Sequence, residues 1–301
     1  MKKSLFLNCL VLLLFFAADM QAQNVLEVVT KKIEKTLDFF DDYKLAIEGE
    51  KADVLINTWD KALVKVELEL VAKHSDAKIA KQDIEVIKYV IENRGNIIFI
   101  QNEMVVDENG EKPKSSLHAH YVITIPENCP LNLKNHFGKA DINDLKKQVV
   151  INSEYCKIKL TNIEGDIAIE TRFGDVVGVG LSGQVSILSA RSDITLTRLR
   201  GSIDIQAKYG LIKIDADRSL IDLNIVAEKS DITFLNPAAE TYSFNLTAHY
   251  GEIEVPKNME FTFKEKTPQI NQAELNLPVK NEGQVSIRTS FGNIVVGRVG
   301  M

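Results

Sequence analysis

From Gly165 to Leu223 the chain reads GDIAIETRF GDVVGVGLS GQVSILSAR SDITLTRLR GSIDIQAKY GLIKIDADR SLIDL, a unit of nine residues that opens each time on Gly or Ser. The openers are Gly165, Gly174, Gly183, Ser192, Gly201, Gly210 and Ser219, with Ile or Val two places after each. Pairs such as Ile167 and Ile169, Val185 and Ile187, Ile203 and Ile205, Ile212 and Ile214, and Ile221 and Leu223 alternate with polar residues. Alternation sends each pair to one face of a short strand, and the intervening Gly or Ser supplies a tight corner. A period this regular predicts a coiled stack rather than an ordinary globular core.

The true period is 18 residues, because alternate corners differ. One series places Phe137, Tyr155, Phe173, Arg191, Tyr209, Lys229, Tyr250 and Phe291 just before the corner, with a small residue from Asn135 to Thr289 two places earlier in each case. The other series carries Glu164, Ser182, Arg200 and Arg218. Turns stacked at about 4.8 Å align equivalent side chains in rows. A row of rings and cations at that spacing suits offset stacking and cation–π contact. The row reads as a stabilising ladder and, alternatively, as a strip that stacks on sugar or peptide. On the second reading Tyr155, Phe173, Tyr209, Tyr250 and Phe291 are the partner-binding residues.

The expected fold is all-β: a parallel β-solenoid with about 18 residues and two strands per turn over residues 129–301. Right-handed coiling follows from the general crossover preference. Residues 23–128 are expected to form a β-rich cap with one short helix. That helix starts near Ser75, a candidate N-cap, and a hairpin turns at Asn93-Arg94-Gly95-Asn96. Ala52-Asp53-Val54-Leu55-Ile56 repeats the shape of Gly165-Asp166-Ile167-Ala168-Ile169, and Trp59 reads as a core aromatic of the cap. Gly178, at an inward position, implies a bulge or a closely packed neighbour. Residues 256–282 break the pattern and read as a protruding loop, and the final turn near Val296 as an exposed edge able to self-associate.

Met1-Lys2-Lys3, an apolar run from Leu5 to Ala18 and the junction Asp19-Met20-Gln21-Ala22-Gln23 form the pattern of a secretory signal over residues 1–22. The apolar run is shorter than the roughly 20 residues a membrane span needs. Export to the periplasm or cell surface, without a spanning segment, is the expectation. The 42 acidic residues against 36 Lys and Arg, a formal charge of −6, include no concentrated basic face, which argues against nucleic acid. Cys129 and Cys156 fall on alternate half-turns, which would face opposite edges, so two separate buried thiols are expected rather than a disulfide.

The Ala52-Asp53-Val54 strand with Trp59-Asp60, the Val122-Ile123-Thr124-Ile125-Pro126 strand and the recurring Phe/Tyr-Gly-x-Ile or Ser-Asp-Ile units resemble the bacterial DUF4097 family of β-strand-repeat proteins, related to head-domain adhesins of Bacteroidetes. The resemblance spans about residues 45–296. It implies an exported, adhesin-like, non-enzymatic solenoid, and carries no catalytic residues across.

Chemistry-bearing motifs are sparse. The single Gly or Ser per unit, followed by Asp166, Asp175, Asp193 or Asp231, lacks the other elements of a calcium-binding turn, so those acids are expected to cap corner amides. His118 and His120 point to one side of a strand, yet no nearby acid or Cys completes a zinc set, and no metal or cofactor is expected. The rival reading is a polysaccharide lyase or hydrolase using a pair such as Asp175 and Asp193, one turn apart. Short turns leave little room for a catalytic cleft. The expected role is a structural or interaction module of the cell envelope, with an envelope protein or glycan as partner.

Overall fold

The computed structural model describes residues 26–106, 110–235, 237, 241–277 and 283–297. The expected signal segment lies outside them. The first strands are β1 (Glu27–Asp38), β2 (Lys44–Glu50), β3 (Ala52–Trp59) and β4 (Leu63–His74), followed by the helix α1 (Ala77–Asp83) and a 3-10 turn at Ile84–Val86. Asp76 rather than Ser75 caps α1, its Oδ1 accepting from Lys78 N at 2.8 Å. β5 (Ile87–Arg94) and β6 (Ile97–Met104) form the expected hairpin, turning at Gly95.

The repeats comprise β7 (Ser116–Pro126), β8 (Leu131–Asn143), β9 (Val149–Thr161), β10 (Glu164–Arg172), β11 (Val176–Val179), β12 (Ser182–Ala190) and β13 (Ile194–Phe234), the last running through several corners. They are followed by β14 (Tyr242–His249), β15 (Ile253–Glu254), β16 (Thr262–Lys266), β17 (Ile270–Leu275), β18 (Gly283–Ser290) and β19 (Ile294–Val296). Parallel register links residues 18 apart: Leu131 to Val149, Val149 to Ile167, Ile167 to Val185 and Val185 to Ile203. Inward Ile, Leu and Val, such as Ile158, Leu160, Leu196 and Ile205, fill a narrow core. Gly178 faces that core because a Cβ there would meet Leu181 and Leu196 at 2.7 Å, so the close neighbour accounts for the glycine.

The 18-residue period that runs from β8 slips beyond Tyr209. Ile221, expected inward, is 61% exposed, and Leu223 and Ile225 take the inward places. Two extra residues at the preceding corner move the register from 18 to 20, as the contact between Asn224 Nδ2 and Asp204 Oδ2 at 2.6 Å records.

Coil order departs from sequence order at both ends. β2 and β3 pair in parallel with β8 on one flank and with β6 and β7 on the other, so residues 44–59 form an internal coil. At the far end β18 lies between β13 and β14, and β19 between β13 and β15. The strand ending at Val296 is therefore not the expected open edge. An uncovered coil would display unpaired N–H and C=O groups, and antiparallel strands cover them: β5 on β6, β4 on β7 with β1 outside it, and β17 on β14 with β16 outside it.

The segment expected as a protruding loop thus supplies the covering hairpin β16–β17, whose Asn271, Ala273 and Leu275 are buried. Phe234, Tyr242, Phe244 and Phe261 pack edge-on or tilted against one another beneath it. Trp59 is half-buried at the end of β3, its Nε1 donating to Leu63 O at 2.8 Å, and is not a core residue.

Candidate functional site

Pairing puts the expected corner residues into one row and adds another. Because β18 slips in front of β14, the order in space is Lys51, Phe137, Tyr155, Phe173, Arg191, Tyr209, Lys229, Phe291, Tyr250. Each of the nine has a positive φ, between 48° and 59°. A non-glycine residue in this region costs about 1 kcal/mol or more, so something must hold it there. The bend turns the backbone N–H towards the neighbouring coil: Lys51 donates to His136 O, Phe173 to Ala190 O, Arg191 to Lys208 O and Phe291 to His249 O, all at 2.7–3.0 Å.

The next residue must then be very small. A Cβ at Gly138, Gly174, Gly210 or Gly292 would overlap the carbonyl of Ala52, Cys156, Ser192 or Ser230 in the adjoining coil. Along that row Gly alternates with Ala, Cys or Ser from Ala52 as far as Gly292, beside which stands a second glycine, Gly251, and Ser192 Oγ accepts from Gly174 N at 3.2 Å.

The side chains of the row form a continuous outer ridge. Phe137, Tyr155 and Phe173 stack at 4.9 and 4.8 Å with interplanar angles of 2° and 5°. Arg191 bridges Phe173 at 5.3 Å and Tyr209 at 5.8 Å. Lys229 Nζ lies 5.1 Å from the Tyr209 ring and 3.2 Å from its hydroxyl. Tyr250 and Phe291 stack at 5.1 Å. Of the five partner-binding candidates, Tyr155 meets Phe173 and Tyr250 meets Phe291, whereas Tyr209 is flanked by cations. Their exposure runs from 39% at Phe173 to 60% at Tyr250, so half the ring surface faces solvent.

Beside the ridge lies the outward face of the same strands. A groove of about 560 Å³ runs from Phe291 past Val226, Leu188, Lys208 and Arg172. A second, of about 450 Å³, lies at the other end of these strands, next to the second corner, and is lined by Ala168, Ser186, Asp166, Gln184 and Asp204. Leu188 and Val226 are exposed apolar residues of the first groove.

Of the four corner acids expected to cap amides, Asp175, Asp193 and Asp231 do so, whereas Asp166 lines the second groove. Asp175 Oδ1 accepts from Asp193 N at 3.3 Å, Asp193 Oδ1 from Leu211 N at 2.8 Å and Asp231 Oδ1 from Asn293 N at 2.8 Å. Asp175 and Asp193 are thus engaged with neighbouring backbone rather than aimed across a cleft. Cys129 and Cys156 are separate, free and buried. Burial pushes the Cys129 thiol up to about 12 and also raises that of Cys156, which sits 3.3 Å from Asn135 O.

A third grouping was not read from the sequence. His118 Nε2 lies 3.3 Å from Asp53 Oδ1, and His120 Nδ1 lies 3.6 Å from Asp53 Oδ2. The acid that completes the histidine pair comes from β3, more than sixty residues upstream, where parallel pairing sets Asp53 opposite His120. The likeness of Ala52-Asp53-Val54 to the later repeats was the available signal, since it marks β3 as a coil strand. Burial lowers the pKa of His118, opposed by the Asp53 charge. Lys139 Nζ approaches Asp53 Oδ2 at 4.0 Å.

An all-β stack of parallel 18-residue coils with one short helix defines a β-strand-repeat protein. Residues 43–297 match the model of the Toastrack DUF4097 family, and the chain belongs to that family. Among solved structures it is similar to a "putative adhesin" from Bacteroides fragilis, at 10% identity and TM-score 0.39, covering 88% of this chain and 97% of that one. It is similar also to a "putative cell adhesion protein" from Clostridium sporogenes, at 12% identity and TM-score 0.30, covering 90% and 100%. A third is a "putative lipid binding protein" from Parabacteroides distasonis, at 11% identity and TM-score 0.33, covering 88% and 96%. No curated protein matches the chain. Among the described residues no helix is long and apolar enough to cross a membrane.

Proposed function

We propose that this chain is an exported, non-enzymatic, right-handed β-solenoid of the cell envelope that binds a glycan or an envelope protein along its aromatic corner. One observation carries the reading: a row of rings, fixed in a costly backbone conformation, remains half exposed beside a groove of about 560 Å³. Flat, exposed rings held at a fixed spacing offer stacking surfaces to sugar or peptide, and Arg191 and Lys229 add donors between them. The engagement of Asp175 and Asp193 with backbone amides supports a binding role over glycan cleavage.

The test is binding of the purified chain to immobilised envelope polysaccharides and to intact cells, alongside the double variant Tyr209→Ala, Tyr250→Ala. Tyr209 has no ring neighbour in the row and Tyr250 has one, so the variant should fold with modest loss of stability and fail to bind. Retained binding would assign the row a purely structural role. New reducing ends or unsaturated products in the same polysaccharide panel would make the protein an enzyme.

A further inference from the structure

We propose that Asp53, His118 and His120 form a binding site for a divalent ion of the zinc class on the outer face of the stack, close to the end where Lys51 begins the corner row. One donor atom from each residue lies within 4.8 Å of the others. A tetrahedral zinc shell, with bonds of about 2.0–2.1 Å, sets its ligand atoms about 3.4 Å apart. Each imidazole nitrogen stands near that edge length from a different oxygen of Asp53, His118 Nε2 from Oδ1 at 3.3 Å and His120 Nδ1 from Oδ2 at 3.6 Å. Two imidazoles and one carboxylate are the borderline donors that zinc, cobalt and nickel share.

The scaffold holds these residues without help from an ion. β3 is paired on both flanks, by β7 and β8, and β7 on both flanks, by β3 and β4, so all three ligands stand on interior strands. The rings of His118 and His120 lie 4.6 Å apart, centroid to centroid. His118 Nε2 is buried and, despite its proximity to Asp53, makes no hydrogen bond. At 3.3 Å the contact with Asp53 Oδ1 is within hydrogen-bond distance but misaligned; a buried polar atom left without a well-formed bond is costly, and a cation between the two groups resolves it.

Three protein ligands leave a coordination position for water or for a donor from a partner. Lys139, whose Nζ is near Asp53 and whose side chain is largely exposed, is free to swing aside. His136 and Glu154, 3.7 Å apart on the next coils, provide a control, since no third ligand joins them in such a cluster among the described residues.

The experiment is calorimetric titration of the metal-stripped, tag-free chain with zinc chloride, with visible absorption of bound cobalt as a second readout. One ion per chain is expected. Asp53→Asn, His118→Gln and His120→Gln should each weaken zinc by about 100-fold or more and abolish the cobalt spectrum. His136→Gln should leave both unchanged. Lys139→Gln should tighten zinc by about threefold or more, because it removes a like charge beside the ion. Thermal melts without metal establish that each variant is folded, and the half-exposed His120→Gln suffices if either of the others is not. No saturable binding, unchanged affinity in the folded ligand variants, or an equal loss in His136→Gln would overturn the site.

Discussion

The two corners of each coil make the same reversal with opposite side-chain chemistry. At the first, residues with φ of 48–59° are rings and cations, and the glycine that follows has an ordinary φ but stands against the adjoining coil's carbonyl. At the second, the left-handed row is Asp144, Asn162, Gly180 and Arg198, and the glycines Gly165, Gly183 and Gly201 have φ of 116°, 112° and 82°. Both rows aim a backbone N–H at the next coil: Phe173 to Ala190 O, and Asn162 to Val179 O at 2.8 Å. Close approach to the adjoining coil selects glycine at both corners, since a Cβ at Gly183 or Gly201 would also overlap the carbonyl of Gly165 or Gly183, and the second corner adds the demand for a positive φ. Only the first corner carries an exposed ring surface, which is why the binding proposal rests there.

The sharpest way to break this contrast is Gly174→Ala. The added methyl would overlap the Cys156 carbonyl, and backbone on both sides would have to shift. A loss of about 3 kcal/mol or more, measured by urea unfolding, is expected. Unchanged stability would mean that the coils can separate at this corner and that close approach does not select the glycine.

Next in size is Tyr155→Ala. Its ring stacks on two neighbours, Phe137 and Phe173, and each such contact contributes about 0.5–1.5 kcal/mol beyond area burial. A combined loss of about 1–3 kcal/mol in the same unfolding experiment is expected. A much smaller value would remove the stacking as the force that holds these residues in a left-handed conformation.

At the second corner Gly180→Asn should be mild. The substitution repeats Asn162, which adopts φ of 53° in the same row and donates from Nδ2 to Asp144 Oδ1 at 3.0 Å. The nearest obstacle to the new Cβ is the Asn162 side-chain oxygen at 2.9 Å, the end of a movable group. The cost should stay below about 1 kcal/mol, since Asn tolerates this region better than other residues. A loss as large as that from Gly174→Ala would mean that the left-handed place of the second corner demands glycine as strictly as the close-approach place of the first.

What the repeat shows in sequence is what depends on neighbours 18 residues away. Ile203 and Ile205, the aromatic row and the amide-capping Asp193 are all legible because each coil repeats the environment of the last. The family resemblance is likewise carried by that series. The ends were not legible, because their neighbours are distant in sequence. No local pattern tells Leu131 that Leu45 pairs with it, or Val285 that it sits between Leu223 and Phe244. The joining of Asp53 to His120 failed for the same reason. Ile221 misled because its spacing from Ile203 obeyed the period after two residues had been inserted.

The smallest effect tests the alternation of glycine with small side chains along the row that follows the first corner. Cys156 occupies a place that Ser192 and Ser230 fill in other coils, and its thiol faces carbonyl oxygens of Asn135 and Glu154 at 3.3 Å. Ser192 and Ser230 make the equivalent contact to Ala190 O at 3.2 Å and Glu228 O at 3.1 Å. Cys156→Ser therefore replaces a weak donor by a stronger one with its acceptor already in place, and the shorter bond offsets the lost apolar volume. Urea unfolding should place the variant within about 0.5 kcal/mol of the parent. A loss well above that would mean that this corner packs the sulfur as an apolar group, and that the Ser and Cys coils are not interchangeable despite their shared backbone.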